Sequence, residues 1–189
     1  MKQLVIILLF LLPALAVCDD SNTQRDLSKK AIENGWKHVD EKPDVLAPTK
    51  HLDTALMHFY HAILLDKTSG PAWFATGYTY SIKGDADSAL ASYRKSLEFQ
   101  PDYPSTHMNI GIILLVKGEM ESSLTSLLKA RDLAPERGAV YGNLARWYYT
   151  NKQISKAKSA LALAYKYQSP KDEAFLKLLS KHINKASEK

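Results

Sequence analysis

The chain has 189 residues, 46% of them hydrophobic and 24% charged, and a formal net charge of +5. This is an ordinary composition for one globular domain and leaves no long disordered or low-complexity tract. A single cysteine, Cys18, excludes an internal disulfide. No phosphate-cradling glycine loop, metalloprotease helix, nucleophile elbow or paired-cysteine metal site is present, so no enzyme and no cofactor are expected.

Residues 1–18 differ from the rest. Met1 and Lys2 precede an apolar run from Leu4 to Leu12, then Pro13, small residues at Ala14 and Ala16, and the acidic pair Asp19 and Asp20. That is the layout of a secretory signal peptide, and the apolar run falls short of the ~20 residues a membrane span needs. Two processing routes fit. Cleavage after Ala16 uses Ala14 and Ala16, whereas Leu15-Ala16-Val17-Cys18 resembles a bacterial lipoprotein box in which Cys18 would be lipidated and attach the protein to a membrane. Val17 stands where that box expects a small residue. With no cysteine pairs and no Asn-x-Ser/Thr acceptor, a periplasmic or envelope-anchored protein is favoured over a eukaryotic secreted one.

Residues 19–69 read as a degenerate helix pair. Leu27, Ala31, Ile32 and Trp36 have helical spacing, and Pro43 to Pro48 then interrupt it. From His51 to Leu65 a second helix carries Ala55, Phe59 and Ala62, a small-aromatic-small triplet that returns 34 residues later as Ala89, Tyr93 and Ser96. The intervening loop is longer than the ~2–8 residues usual between helices. His51, His58 and His61 share one side of this helix at metal-ligand spacing. The repeat register sets His58 and His61 outward, beside the buried Phe59 and Ala62, so no metal is expected.

The 34-residue beat is clearest over residues 70–103, 104–137 and 138–171. Small residues recur at Gly77, Gly111 and Ala145, at Ala89, Ser123 and Ala157, and at Ser96, Ala130 and Ala164. Large ones recur at Trp73, His107 and Tyr141, at Tyr80, Leu114 and Tyr148, and at Tyr93, Leu127 and Leu161. Such a period signals a helical repeat array. Two helices approach closely only where the crossing residues are small, and a helical glycine costs roughly 1 kcal/mol relative to alanine, so Gly77 and Gly111 need that packing reason. Lys83-Gly84-Asp85 and Lys117-Gly118-Glu119 punctuate the pairs, and Pro101, Pro135 and Pro170 separate them.

Residues 172–189 carry an apolar stripe of Phe175, Leu178, Leu179 and Ile183, with Lys177, Lys181 and Lys185 on another face, as a terminal capping helix requires. From Lys152 onward nine lysines face three acids, whereas residues 19–151 carry fifteen basic and seventeen acidic residues. The basic end is read as a solvated cap rather than an anionic-surface binder. It contains no arginine, and nucleic acid is not an expected partner.

On these residues the chain resembles the tetratricopeptide repeat (TPR) family. Trp73, Gly77, Tyr80, Ala89, Tyr93 and Pro101 match the family pattern in the first clear unit, with Thr76 where Leu is usual. His107, Leu114 and Lys152 depart from it later. The resemblance implies an all-α, right-handed solenoid of antiparallel helix pairs, whose first helices line a concave groove. The groove positions would be Phe74, Tyr78, Met108, Asn109, Ile112, Leu115, Asn143, Arg146 and Tyr149. The lysine and asparagine set with which some members clamp a terminal carboxylate is not reproduced. The expected function is a non-catalytic envelope adaptor that holds a peptide or protein segment. The alternative is a structural subunit of an oligomer whose groove is permanently filled, and the sequence leaves the oligomeric state open.

Overall fold

A computed structural model describes residues 21–41, 49–169 and 172–186. Among these residues there are nine α-helices and no strand: α1 (Ser21–Val39), α2 (Lys50–Leu65), α3 (Gly70–Lys83), α4 (Ala86–Phe99), α5 (Pro104–Val116), α6 (Met120–Leu133), α7 (Gly138–Thr150), α8 (Ile154–Lys166) and α9 (Glu173–Ala186). The signal-like segment with Cys18, and the interruption from Pro43 to Pro48, lie outside the described residues.

Helices pack chiefly in sequential pairs, α1 with α2, α3 with α4, α5 with α6 and α7 with α8. The second helix of each pair then meets the first of the next, and α9 rests on α8 and α7 as one more first helix would. The crossings explain the small residues. A Cβ at Gly77 would lie 2.8 Å from the Tyr93 ring, and one at Gly111 would lie 2.7 Å from Leu127 Cγ. Tyr93 and Leu127 are fully buried, so neither can move aside cheaply.

Gly35 does the same in the first pair, where a Cβ would lie 2.4 Å from the buried Phe59 ring. Gly35 is therefore the counterpart of Gly77, but 24 residues separate Gly35 from Phe59 where 16 separate Gly77 from Tyr93. The first unit is a regular helix pair with eight extra residues in its connection. Serine bonds across the pair agree: Ser28 Oγ donates to Ala62 O and Ser96 Oγ to Gly70 O, both at 3.0 Å, at equivalent places with donor and acceptor helices exchanged.

The turns inside the last three pairs share one backbone conformation. Gly84 (φ 81°), Gly118 (φ 80°) and Lys152 (φ 58°) are all left-handed. In each, the next residue donates to the carbonyl five positions back, Asp85 to Tyr80, Glu119 to Leu114 and Gln153 to Tyr148, which satisfies carbonyls at the helix end. Lys152 thus performs a glycine's task.

Between pairs, Trp73 Nε1 donates to Lys67 O at 3.1 Å, His107 Nε2 lies 2.7 Å from Pro101 O, and Tyr141 Oη donates to Pro135 O at 2.8 Å. Each side chain ties its helix to the carbonyl six residues earlier. His107 fits a position otherwise occupied by Trp and Tyr because all three carry a polar ring atom in reach of that loop. Trp73 is only half-buried, because its indole edge faces the connection.

Candidate partner-binding groove

The first helices α1, α3, α5 and α7 lie side by side, and the insertion in the first unit restores their register. Trp36, Tyr78, Ile112 and Arg146 occupy one equivalent position, counted from Gly35, Gly77, Gly111 and Ala145. The aromatic end is continuous: Trp36 and Tyr78 centroids are 5.4 Å apart, Trp36 and Phe74 6.4 Å, and Phe74 packs edge-on against Tyr103 at 5.0 Å. Such spacings are those of favourable aromatic pairs.

The sequence-predicted groove residues divide. Tyr78, Asn109, Ile112, Arg146 and Tyr149 retain accessible surface. Met108, Leu115 and Asn143 do not; they are 9%, 7% and 9% exposed. Met108 and Leu115 belong to the core that α7, α8 and α9 share, because the seam between neighbouring first helices closes over them. Asn143 turns its amide to Ala139 O at 2.8 Å. These three lie beneath the surface of that face. Phe74 is half-buried within its ring cluster, touching Trp36, Tyr78, Tyr93 and Tyr103.

Other residues of the first helices are more exposed. Ile82 is 48% and Val116 68% exposed, one turn beyond Tyr78 and Ile112. Between the C-terminal halves of α3 and α5 lies a cleft of about 370 Å³ lined by Ser81, Asn109, Ile112, Ile113 and Val116 among others, at the lower end of the ~300–1,000 Å³ that ligand pockets span. Asn109 Nδ2 is held there by Tyr93 Oη at 2.9 Å. Trp36, Ile82 and Val116 were not legible as groove residues. The insertion hides Trp36 from a 34-residue comparison, and Ile82 and Val116 sit at helix ends where exposure depends on the neighbouring unit.

The histidines of α2 do not converge. His58 stacks on His38 of α1 at 5.3 Å, and His38 Nδ1 pairs with Glu41 at 2.7 Å. Among the described residues no group of three or more His, Cys, Asp or Glu side chains could hold a metal ion. The apolar face of α9 also differs from expectation: Leu176, Leu179 and Ile183 are buried, whereas Phe175 and Leu178 face solvent.

The TPR repeat family profile matches residues 77–118. No curated protein matches the chain. Among solved structures, MamA is similar at a TM-score of 0.63 and 14% identity, over 77% of this chain and 81% of that one. PilF from Pseudomonas aeruginosa is similar at a TM-score of 0.68 and 17% identity, over 87% and 78%. A thermophilic TPR protein from Thermus thermophilus is similar at 0.68 and 18%, over 80% of each chain. At these identities the likeness establishes the fold, an all-α solenoid of the TPR type.

Proposed function

We propose that the protein is a non-catalytic adaptor of the cell envelope that holds a segment of a partner protein in the groove of its first helices. The carrying observation is the exposure of Tyr78, Ile82 and Val116 in one stretch of that face, beside Ile112 and the cleft. Apolar surface concentrated on a concave face signals an interaction site. Neither cofactor nor nucleic acid enters this reading. Export rests on the pattern of residues 1–18, with Cys18 as the anchor in the lipoprotein route; the intact mass of protein from a native membrane fraction separates an acylated Cys18 from a free terminus at Val17.

A photo-crosslinking residue placed at Tyr78 or Ile112 tests the groove. Adducts with one protein in the native envelope, absent when the residue is placed at Arg94 on the outer face of α4, support the reading. Equal labelling from Arg94 overturns it. A self-associating subunit is the second reading, favoured by Met57, Tyr60 and Leu64, which are 72%, 46% and 72% exposed along α2. Light scattering on the purified chain distinguishes them: a dimer dissolved by Leu64→Glu favours self-association, a monomer the adaptor.

A further inference from the structure

We infer that the groove is polarised along its length and takes its occupant in one direction, apolar side chains over α1, α3 and α5 and a run of side-chain carboxylates over α7 and α9. The inference rests on the adaptor reading above and adds the chemistry and orientation of the segment bound.

The equivalent positions Trp36, Tyr78, Ile112 and Arg146 pass from aromatic to aliphatic to cationic in chain order. Arg146 is half-buried, and its guanidinium makes no ion pair or hydrogen bond among the described residues; only its backbone carbonyl is engaged, by Thr150 Oγ1 at 3.0 Å. One turn further along α7, Tyr149 meets His182 of α9 edge-on, with ring centroids 6.4 Å apart. Phe175 of α9 reaches α7, within 3.0 Å of where a Cβ on Gly142 would stand. Phe175, Leu178, His182 and Lys185 are all exposed and follow one another at helical intervals of three and four. The last first-helix surface is thus extended by α9, whose exposed Lys185 adds a second cation to Arg146.

Earlier in the array, two lysines at the ends of first helices have internal partners. Lys83 pairs with Asp53 and Lys117 with Asp87, so the lysine that ends α3 and the one that caps α5 are each tied to the second helix of the preceding unit. At the corresponding third seam Asn151 replaces the lysine opposite Glu121. Helices α7 and α8 contain no acidic residue at all. Of the two described acids that follow, Asp172 accepts from Ser169 and Glu173 pairs with Lys177 at 2.7 Å. Arginine's planar fork suits carboxylates. A partner's acidic run supplies them, and the field of the last unit draws it to this end.

The test uses two amidated synthetic peptides, each with a Phe/Leu block followed by a run of Glu in one and of Lys in the other, read by fluorescence anisotropy. The Glu peptide should bind at least about tenfold tighter at low salt. Arg146→Glu should remove that difference, while Tyr78→Ala weakens both peptides. A benzophenone in the apolar block should crosslink near Trp36 and Tyr78, and one in the Glu run near Arg146 and His182. Equal binding of the two peptides, or reversed crosslinks, with Tyr78→Ala still weakening both, overturns the polarity and leaves the groove standing. Binding indifferent to Tyr78→Ala and Ile112→Asp overturns the groove reading itself. Absence of Glu-peptide binding up to about 1 mM, or binding only when the amide is replaced by a free terminal carboxylate, also overturns the proposal.

Discussion

Lys152 and Tyr93 show what single positions contribute. A non-glycine residue in the left-handed region costs roughly 1–2 kcal/mol, and Lys152 adopts it where Gly84 and Gly118 stand in the other pairs. Lys152→Gly should raise stability by about 1 kcal/mol once glycine's entropic cost of ~0.5–1 kcal/mol is subtracted. Denaturant melts of the two proteins check this. Tyr93 is fully buried, and desolvation pushes its phenol from 10.0 to about 12, opposed by the hydrogen bond from Asn109. Burial, then the bond to Tyr80, likewise raises Tyr60 to about 12. Because the folded values lie above the unfolded one, the stability tied to these protonated phenols is complete below pH 10 and is lost between pH 10 and about 12. Urea midpoints across that range should fall, and Tyr93→Phe should flatten the fall.

At the scale of the element, the pairs are held by crossings and by ties to the connections. Gly111→Leu forces a side chain into the space of Leu127 and the Ser123 carbonyl, and should cost on the order of 1–3 kcal/mol by overpacking, seen as a lower melting temperature. Tyr141→Phe removes the bond to Pro135 O but leaves the ring beside Tyr167 at 5.9 Å. A loss of ~0.5–1.5 kcal/mol is expected, measured by chemical denaturation. The helix pairs of residues 70–171 were readable from the 34-residue beat because each crossing demands a small residue and each turn a left-handed one. The first pair was only half readable. Its second helix keeps the beat through Ala55, Phe59 and Ala62, but eight added residues shift Gly35 and Trp36 out of register, and the contact of Gly35 with Phe59 and the bond of Ser28 to Ala62 O reveal the equivalence.

For the whole molecule, a solenoid is stabilised by each unit's contact with its neighbours, so an end needs a cover. Leu176, Leu179 and Ile183 join the core of α7 and α8, whereas Leu178 stands 59% exposed. Leu176→Ala should cost roughly 2–5 kcal/mol, and Leu178→Ala should stay within about 0.5 kcal/mol. Parallel thermal melts decide it, and equal effects would mean that α9 packs through another face.

Residue pattern alone determined the helix-pair architecture, the turns and the closing helix, because close packing restricts which residue sizes stand at a crossing and that restriction repeats with the unit. It did not determine which side chains remain free. Met108, Leu115 and Asn143 share the helix face predicted for the groove, yet the seam between adjacent first helices closes over them, while Ile82, Val116 and Trp36 stay partly or largely open. Exposure depends on how far one unit overlaps the next, which is a property of the stacked array and not of any single period. The surface that α9 adds beside α7 has the same origin: His182 meets Tyr149 only because the two helices pack together.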